Sequence, residues 1–365
     1  MQPKVIAFYL PQYHEIPENN KWWGKGFTDW VNVKKAKPLF IGHYQPREPL
    51  NDNYYDLSDV NVMKWQAKLA KKCGIYGFCY YHYWFHGKLL LEKPLENMLR
   101  DKDVDIPFCL SWANEPWART WDGKDTDILM PQEYGGKEDW KKHFEYLVKF
   151  FKDDRYIKIN NKPMLLIYRT GNIPNVNEMV NYWRELAINY SFDGIYLAET
   201  LNGFQDKVFV KNSSAVVEFE PNYTLRIYNK NKIKYIFHRI RNKYYKLRSK
   251  SPTLIMDYDL MWKMILNKEP AKFGNRKTFI GGYVGWDNTP RKKEKGAVHI
   301  NFDIDKFKRY FQQLVNKAAI YKSDFIFINA WNEWAEGAYL EPDKKYKYKI
   351  LEIIRDSLKE LKDLD

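Results

Sequence analysis

The stretch FIFINAWNEWAEG, residues 325–337, joins a run of apolar residues to a cluster of Trp, Asn and Glu. A short apolar run of this kind is typical of a strand that is buried on both faces of a parallel sheet. Glu333 and Glu336 follow the run directly. The stretch therefore predicts a buried strand whose end carries two carboxylates, in contrast to the alternating charges of a solvated helix face.

Seven other runs resemble this one, and stretches of helical period alternate with them. The eight predicted strands are residues 5–10, 76–85, 107–113, 164–170, 195–200, 215–220, 278–286 and 325–331. No glycine-rich nucleotide-binding turn follows the first strand, as an open doubly wound sheet would usually have. The pattern predicts an α/β fold, a (β/α)8 TIM barrel, with long βα loops. We predict one catalytic domain over residues 1–365, with the basic segment 226–250 as an insertion after the sixth strand.

Three apolar stripes predict helices that pack on the outside of the barrel. After the expected N-cap Asp59, the first stripe places Val62, Trp65, Leu69 and Cys73 on one face, and Gly74 ends it. The second contains Trp140, Phe144, Leu147, Val148 and Phe151, and the third Phe307, Phe311, Leu314 and Ala318. All three are expected to contribute to the core.

The composition is unusually aromatic, with 14 Trp and 28 Tyr in 365 residues. Such side chains provide flat faces with a polar edge, suited to sugars, bases or lipid headgroups. Cys73, Cys79 and Cys109 lie in apolar runs without a paired spacing, which predicts reduced core thiols. The first residues lack a signal-peptide pattern, and no apolar run is long enough to span a bilayer. These features predict a cytoplasmic protein.

The positive charge is concentrated in one segment. The chain has a formal net charge of +14, and residues 226–250 contain ten Lys or Arg and no acidic residue. The segment fits an ordinary solvated helix, or a basic amphipathic helix on an anionic membrane or a lipid-linked substrate. In the second case Ile233, Ile236, Phe237, Ile240 and Tyr244 would share one face. No nucleic-acid module surrounds the segment, so we predict no nucleic-acid partner.

Polar residues that follow barrel strands are the candidate site, because barrel enzymes react at the carboxyl ends of their strands. Carboxylates among Trp, Tyr, Asn and His suit a sugar, since they accept hydrogen bonds from hydroxyls while aromatic faces cover C–H surfaces. The predicted substrate-binding residues are Tyr9, Tyr13, His14, Asp29, Trp30, His82, Tyr83, Trp112, Asn114, Glu115, Trp121, Asp122, Glu199, Trp286, Asp287 and Asn332.

Glu333 and Glu336 are the predicted catalytic pair. Residues three apart in a turn can bring their Cβ atoms within roughly 5–6 Å. Carboxyl groups about 5–5.5 Å apart favour retention at an anomeric carbon and wider pairs favour inversion, and the spacing leaves both open. The apolar neighbours Trp331, Trp334 and Ala335 would raise the pKa of one carboxyl.

Metal chemistry has weaker support in the sequence. His82 and His86 have the spacing of metal ligands, but they lie among Tyr and Trp without an obvious third ligand. Asp257 and Asp259 form an Asp-x-Asp triplet, but the helical pattern that follows makes Asp257 an N-cap. We predict no metal and no cofactor.

Four blocks together resemble a known family. AFYLPQYHEIPENNKWWGKGFTDW, HYQPREPLNDNYYDL, SWANEPWARTWDG and NAWNEWAEGAYLEP are similar to the WbsX-type proteins of bacterial surface-polysaccharide gene clusters. These are relatives of glycoside hydrolase family 99, the endo-α-mannosidases. The resemblance implies a metal-free barrel that acts on an oligosaccharide or polysaccharide in O-antigen or capsule metabolism.

The resemblance also implies roles for the two glutamates. The hydrolase motif Asn-Glu-Trp-His-Glu-Gly is similar to residues 332–337, with Ala335 in place of the histidine. Glu336 would be the general acid/base, and Glu333 would assist the substrate's 2-hydroxyl as internal nucleophile, with net retention. Because Ala335 departs from the hydrolases, mannose specificity does not follow. A glycosyltransferase or transglycosylase and a non-catalytic glycan-binding barrel remain the alternatives.

Overall fold

The structure is a computed structural model that describes residues 2–119, 124–230, 232–249 and 251–362. Eight parallel strands form its centre. They are β1 (Lys4–Tyr9), β2 (Ile75–Phe85), β3 (Phe108–Trp112), β4 (Lys162–Ile167), β5 (Tyr196–Leu201), β6 (Ala215–Glu218), β7 (Lys277–Tyr283) and β8 (Phe325–Asn329). Each of the eight predicted runs overlaps one of these strands. Their residues are almost all buried, as expected for strands covered on both faces.

The eight strands close into a barrel. Each strand pairs in parallel with the next one along the chain, and β1 pairs with both β2 and β8. The register places Val5 beside Ile326 on one side and Ile75 on the other. The predicted (β/α)8 barrel is confirmed.

Among the described residues, twelve α-helices surround the barrel or follow its strands. They are α1 (Pro17–Trp23), α2 (Asp29–Lys35), α3 (Val60–Lys72), α4 (Lys93–Arg100), α5 (Lys137–Phe151), α6 (Val176–Asn189), α7 (Asn222–Lys230), α8 (Lys232–Ser249), α9 (Tyr258–Asn267), α10 (Thr289–Lys292), α11 (Ile304–Ile320) and α12 (Lys349–Lys362). Residues 202–214, between β5 and β6, are all described and form no helix. The basic segment 226–250 covers most of α7 and α8; that it is an insertion in one domain of residues 1–365 stays a prediction.

The apolar stripes of α5 and α11 are buried as predicted. That of α3 is buried only in part: Cys73 is buried and Val62 and Leu69 pack against the core, but Trp65 is exposed. Asp59 caps α3 through the backbone N–H of Asn61, as expected. The face that α3 buries contains Gln66, whose amide bonds the side chains of Tyr9 and Glu341. Trp65, the neighbouring residue on the helix surface, is 36% exposed instead of buried.

Short elements decorate the loops at the carboxyl ends of the barrel strands. Leu254–Asp257 pairs in parallel with Ala297–Ile300, Trp117–Arg119 pairs with Lys124–Met130, and Asn332–Glu333 pairs with Ala338–Tyr339. The three cysteines are buried and unpaired, as predicted. Within the described ranges, every helix is too short or too polar to cross a bilayer.

Candidate active site

Glu333 and Glu336 lie on a tight hairpin directly after β8. Glu333 ends the first short strand of the hairpin and pairs with Ala338. A single 3-10 turn, Trp334–Glu336, connects the two strands. Gly337 then adopts φ 60°, a left-handed conformation, and a Cβ there would approach Asp287 to 2.9 Å. The hairpin therefore needs glycine at this position, and its turn holds both carboxylates on one short segment.

One guanidinium joins the two glutamates. Nη1 of Arg291 donates to Oε1 of Glu336 at 2.7 Å, and Nη2 donates to Oε2 of Glu333 at 3.1 Å. Arg291 lies in α10, which follows β7. Because the guanidinium is planar with donors in a fixed fork, it sets the relative position of the two carboxyl groups.

A third carboxylate shares the same arginine. Oδ2 of Asp29 accepts a hydrogen bond from Nη2 of Arg291 at 2.6 Å, and the Asp29 side chain is fully buried. The loops that follow β1, β7 and β8 therefore meet at Arg291. One positive charge faces the carboxylates of Asp29, Glu333 and Glu336, so the cluster has a formal excess of negative charge when all three are ionised.

Burial and this excess of charge act on Glu333. Burial raises the pKa of Glu333 to about 8; Arg291 opposes the rise, while the carboxylates of Glu336 and Asp29 add to it. The side chain of Glu333 is only 8% exposed, whereas that of Glu336 is 24% exposed. The predicted rise in the pKa of one carboxyl is thus found at Glu333, and Glu336 is the carboxyl that a ligand can reach from solvent.

Asp287, just beyond β7, is hydrogen-bonded to the backbone of the hairpin. Its backbone N–H donates to the carbonyl oxygen of Glu336 at 2.6 Å. Its carboxylate accepts from Nε2 of His43 at 2.8 Å and from the Gln45 amide at 2.7 Å. Although burial raises the pKa of Asp287, its bond to His43 and the nearby charge of Arg47 lower it overall. Asp287 is therefore a fixed anion that positions the Glu336 backbone.

Two further residues hold the hairpin against the barrel. The Asn332 amide exchanges hydrogen bonds with the backbone of Leu10, at 2.8 and 3.0 Å, which ties the hairpin to the end of β1. Glu341 accepts from the indole N–H groups of Trp331 and Trp334, at 3.0 and 2.6 Å. Trp334 also stacks on Tyr339 with ring centroids 3.8 Å apart. The backbone on both sides of the carboxylates is thus immobilised.

The loops after β3 and β4 form the opposite side of the site. Arg169 donates to Glu115 at 2.7 Å, and Asn114 fixes the Arg169 backbone through bonds to its N–H and carbonyl oxygen. Burial raises the pKa of Glu115, and Glu336 is among the neighbouring charges that raise it. Phe204, which is 59% exposed, lies under the guanidinium of Arg169 at 4.4 Å. The ion pair of Glu115 and Arg169 therefore lies near enough to Glu336 for the two carboxyl groups to interact electrostatically.

Aromatic side chains line the space between these two sides. Burial raises the pKa of the Tyr83 hydroxyl, and the carboxylate of Glu333 adds to the rise. The ring of Tyr83 packs edge-on against half-buried Trp117 at 5.3 Å, and Trp117 packs against half-buried Trp22 at 5.9 Å. Tyr81 and Tyr168 also have Glu333 and Glu336 among the charges that raise their pKa values, after burial itself.

The structure brings part of the predicted set together. Tyr13, Asp29, Tyr83, Glu115, Asp287 and Asn332 lie at the site or hold it directly. Trp30 packs behind Trp334, and Asn114 acts through Arg169. Trp286 is buried, and its carbonyl oxygen accepts from His299. Trp121 and Asp122 lie outside the described residues.

Other predicted residues have partners elsewhere. Tyr9 bonds Gln66, and His14 bonds the carbonyl oxygen of Pro11. The carboxylate of Glu199 accepts from Thr170 and Ser213 and from the backbone N–H groups of residues 209 and 210, so it organises the loop between β5 and β6. Such residues stabilise loops at this end of the barrel without contacting the glutamate pair.

Two more of the predicted residues contribute to packing between strands and helices. His82 bonds His143 of α5 at 2.8 Å, and burial lowers the pKa of both imidazoles. Trp112 donates its indole N–H to the carbonyl oxygen of Trp84 and packs against Trp183. His82 is therefore engaged with α5 and not with His86, the residue considered above as its partner in a metal site.

Several residues of the site were not predicted from the sequence. They are His43, Gln45, Arg47, Tyr81, Tyr168, Arg169 and Arg291. Arg291 lies in TPRKKEKG, where neighbouring lysines suggest a solvated surface. The block HYQPREPL belongs to the family resemblance, and its His43, Gln45 and Arg47 surround Asp287. The presence of these three residues in that block is the sequence feature that could have identified them as part of the site.

Metal-ligating side chains and a surface pocket are the remaining features that bear on ligand binding. Within the part of the chain that the structure describes, no group of three or more His, Cys, Asp or Glu side chains is arranged to hold a metal ion. Asp257 caps α9 through the N–H of Leu260, as predicted. A surface pocket of about 410 Å³ lies behind the hairpin, next to Trp334 and Glu341, but Glu333, Glu336 and Arg291 do not line it.

Comparison with known proteins gives the family. Residues 5–354 match the family described as Glycosyltransferase WbsX. The chain belongs to the WbsX glycosyltransferase family. This WbsX-family chain is 35% identical over 364 residues to a curated protein of Xanthomonas campestris pv. campestris (strain B100), described as the uncharacterized protein WxcX. The match covers 97% of this chain and 49% of WxcX, so the chain spans about half the length of that relative.

Solved structures support the fold. A GH99 endo-alpha-mannosidase from Bacteroides thetaiotaomicron is 12% identical, with a TM-score of 0.56 over 98% of this chain and 97% of that one. A glycoside hydrolase-like protein is 14% identical, with a TM-score of 0.64 over 98% and 94% of the two chains. The resemblance to WbsX-type proteins is confirmed, and the chain is a member of a carbohydrate-active enzyme family with a glycosidase-like barrel.

Proposed function

We propose that this WbsX-family protein cleaves or forms a glycosidic bond with retention, using Glu333 and Glu336. The observation that carries the proposal is the placement of both carboxyl groups on one turn after β8, joined by the single guanidinium of Arg291. Barrel enzymes react at this end of their strands, and most glycosidases use two carboxyl groups that flank one anomeric carbon.

The two glutamates differ in the way the reaction requires. Glu336 is the more exposed, so it can reach the glycosidic oxygen and protonate it as the C–O bond breaks. Glu333 is buried beside Tyr83, and a raised pKa makes its carboxylate a stronger base toward a substrate hydroxyl. In the proposed reaction Glu333 takes the 2-hydroxyl proton while that oxygen attacks the anomeric carbon, so that an epoxide-like intermediate forms as the bond to the leaving group breaks. Water or a sugar hydroxyl then attacks the anomeric carbon from the face that the leaving group occupied and opens the three-membered ring, which gives retention. In this second step Glu336 takes the acceptor's proton, and Glu333 returns its proton to the 2-oxygen.

The surroundings suit an oligosaccharide or polysaccharide. Trp22 and Trp117 present half-buried aromatic faces on one side of the carboxylates. Glu115 and Arg169 present hydrogen-bonding groups on the other side, next to exposed Phe204. Sugars offer C–H faces to aromatic rings and hydroxyls to charged groups, so both sets of side chains suit contacts with one glycan chain.

Hydrolysis and glycosyl transfer differ in the acceptor, which is water in the first and a sugar hydroxyl in the second. The paired glutamates resemble those of glycosidases, whereas the family is described as a glycosyltransferase. We propose that the intermediate can pass to a sugar hydroxyl, which makes the protein a transglycosylase or transferase of surface-polysaccharide metabolism, in O-antigen or capsule assembly. Hydrolysis is the alternative outcome, in which water takes the place of the sugar.

We further propose a cytoplasmic location, peripheral at the inner membrane face, and a lipid-linked substrate. Three unpaired buried cysteines suit a reducing compartment. The basic helices α7 and α8 suit an anionic membrane surface.

The test of the chemistry is substitution of each glutamate. Glu333→Gln and Glu336→Gln should each abolish turnover of the source organism's own surface glycan while glycan binding by calorimetry persists. Glu178→Gln, on the exposed surface of α6, is the matched control and should leave turnover unchanged. Full activity in either of the first two variants would exclude the proposed pair.

The products identify the reaction type. NMR of the products would report the linkage, the anomeric configuration and the acceptor in one measurement. Inverted products would overturn retention. Saturable binding of a nucleotide sugar would favour a transferase, and cleavage without a nucleotide would favour a glycosidase. Glycan binding with no turnover under either condition would favour a non-catalytic glycan-binding barrel.

A further inference from the structure

Helix α8 carries a row of apolar side chains that point away from the protein. Ile236, Ile240, Tyr244 and Leu247 are 55%, 61%, 56% and 72% exposed. At 3.6 residues per turn these positions fall within an arc of about 80° on one side of the helix. Single exposed apolar residues are common, but four aligned on one helix form a continuous stripe, which is typical of a docking surface.

Basic residues lie beside the stripe. Arg239, Lys243 and Lys246 occupy the neighbouring arc of the helix surface, and residues 226–250 contain no acid. The opposite side of α8 faces the protein, because Asn242 is buried and Arg241 reaches Asp257 at 3.4 Å. The outward surface of α8 therefore combines an apolar stripe with positive charge, the two features by which interfacial helices bind anionic lipid.

We propose that this outward surface of α8 docks on an anionic lipid bilayer, with the apolar stripe in the headgroup region and the basic residues on lipid phosphates. Charge complementarity favours lipid over a second copy of this chain, because two such helices would bring like charges together. A nucleic acid would use the positive charge, but it would leave the exposed stripe of Ile240 and Leu247 unexplained.

The attachment of α8 relates this surface to the candidate site. Arg241 holds Asp257, the last residue of the short strand Leu254–Asp257. That strand pairs with Ala297–Ile300, which follows the α10 segment that carries Arg291. Helix α8 and the glutamate pair therefore belong to the same end of the barrel. When α8 is docked, the candidate site lies close to the membrane. This part of the inference rests on the proposed function, because it assumes that the glycan is lipid-linked.

Vesicle binding tests the inference. The full chain is mixed with vesicles of phosphatidylcholine and phosphatidylglycerol, or of phosphatidylcholine alone, and the bound fraction is measured by flotation. We expect binding to the anionic vesicles and a large loss at high salt. Arg239→Gln combined with Lys243→Gln should lower the partition coefficient roughly 25-fold, because each basic residue near such a surface contributes about fivefold.

The apolar stripe has its own variants and matched controls. Ile240→Ser with Leu247→Ser should lower binding at least tenfold. Ile188→Ser with Ile320→Ser changes two residues that are 65% and 75% exposed on α6 and α11, and it should leave binding unchanged. Circular dichroism of each variant checks that the fold persists.

Four outcomes would overturn the inference: no binding to anionic vesicles, equal binding by the Ile240 and Leu247 variant, RNA binding that replaces vesicle binding, or a dimer that the same variant dissociates. Glu333→Gln separates this inference from the proposed function, because it should bind vesicles like the parent while losing turnover. Vesicle binding by a chain without any glycosyl activity would reject the proposed function and leave the docking surface standing.

Discussion

Nη2 of Arg291 lies 2.6 Å from Oδ2 of Asp29, although 262 positions separate the two residues in the chain. The contact connects the loop after β1 to the loop after β7. Neither residue is one of the two carboxyls proposed to react. Their contact nevertheless decides where those carboxyls lie, because the same guanidinium donates to Glu333 and Glu336.

Replacing Arg291 alone should destabilise the fold more than replacing Arg291 and Asp29 together. Arg291→Met leaves the buried Asp29 carboxylate without its cation, and a broken buried pair costs about 3–5 kcal/mol in the free energy of unfolding. Adding Asp29→Asn should recover part of that loss. Urea denaturation of the two single variants and the double variant measures the coupling. Lys272→Met, in an exposed pair with Glu269, is the control and should cost less than about 1 kcal/mol. Strictly additive losses would contradict the proposed coupling.

The pH dependence should report Glu333. If Glu333 acts as the base, kcat/KM should rise with pH toward about 8, the pKa to which burial raises this carboxyl, because only its ionised form accepts a proton. Asp29→Asn should move this rise to lower pH, since the Asp29 charge contributes to the raised pKa. A rate that falls over the same range would assign Glu333 as the acid instead.

The raised pKa of Glu333 also predicts how the free energy of unfolding changes with pH. The folded protein keeps a proton on Glu333 that the unfolded chain has lost, because the pKa is raised from 4.5 to about 8 on folding. The folded state is therefore stabilised relative to the unfolded state at low pH, and this contribution falls as pH rises from about 4.5 to about 8. Urea unfolding at pH 5 and pH 8 should show a larger loss in the parent than in Glu333→Gln. An equal loss in both would show that the pKa is not raised.

The barrel followed from the sequence because its strands are continuous apolar runs. Burial on both faces of a parallel strand leaves a local signal, and FIFIN shows it as clearly as any. The carboxylate pair could also be predicted, since Glu333 and Glu336 are close in the chain and follow that run. The face of α3 was predicted only in part, because its buried side also includes Gln66, whose hydrogen bond to distant Glu341 leaves no sign in an apolar pattern.

Arg291 shows why the rest of the site was missed. The role of Arg291 depends on its hydrogen bonds to Asp29, Glu333 and Glu336, which lie in loops far apart in the chain. In the sequence it is one of several basic residues in TPRKKEKG, where a solvated surface is the ordinary interpretation. A contact between two loops leaves no periodic pattern in the sequence. Only the closed barrel therefore shows which of these basic residues is largely buried.

Trp117 should contribute to substrate binding more than to chemistry. Its half-buried ring lies against Tyr83, beside the carboxylates, where it can cover the C–H face of a sugar. Trp117→Ala should raise KM for the glycan roughly three- to tenfold with little change in kcat. Trp65→Ala, which removes an exposed indole from α3, is the control. A fall in kcat at unchanged KM would instead place Trp117 in the positioning of the carboxylates.

Gly281 should be needed for the close approach of β6 and β7. A Cβ at Gly281 would lie 1.7 Å from the carbonyl oxygen of Glu218, far inside van der Waals contact, so the two strands would have to separate. Gly281→Ala should therefore lower the free energy of unfolding by on the order of 3 kcal/mol. At Gly203 the nearest atom, Cβ of Asn222, is 3.5 Å away, an ordinary contact, so Gly203→Ala should change stability by less than about 0.5 kcal/mol. Thermal and urea unfolding of the two variants compares them directly. Equal losses at the two positions would contradict this prediction, because the close approach of β6 and β7 affects Gly281 and not Gly203.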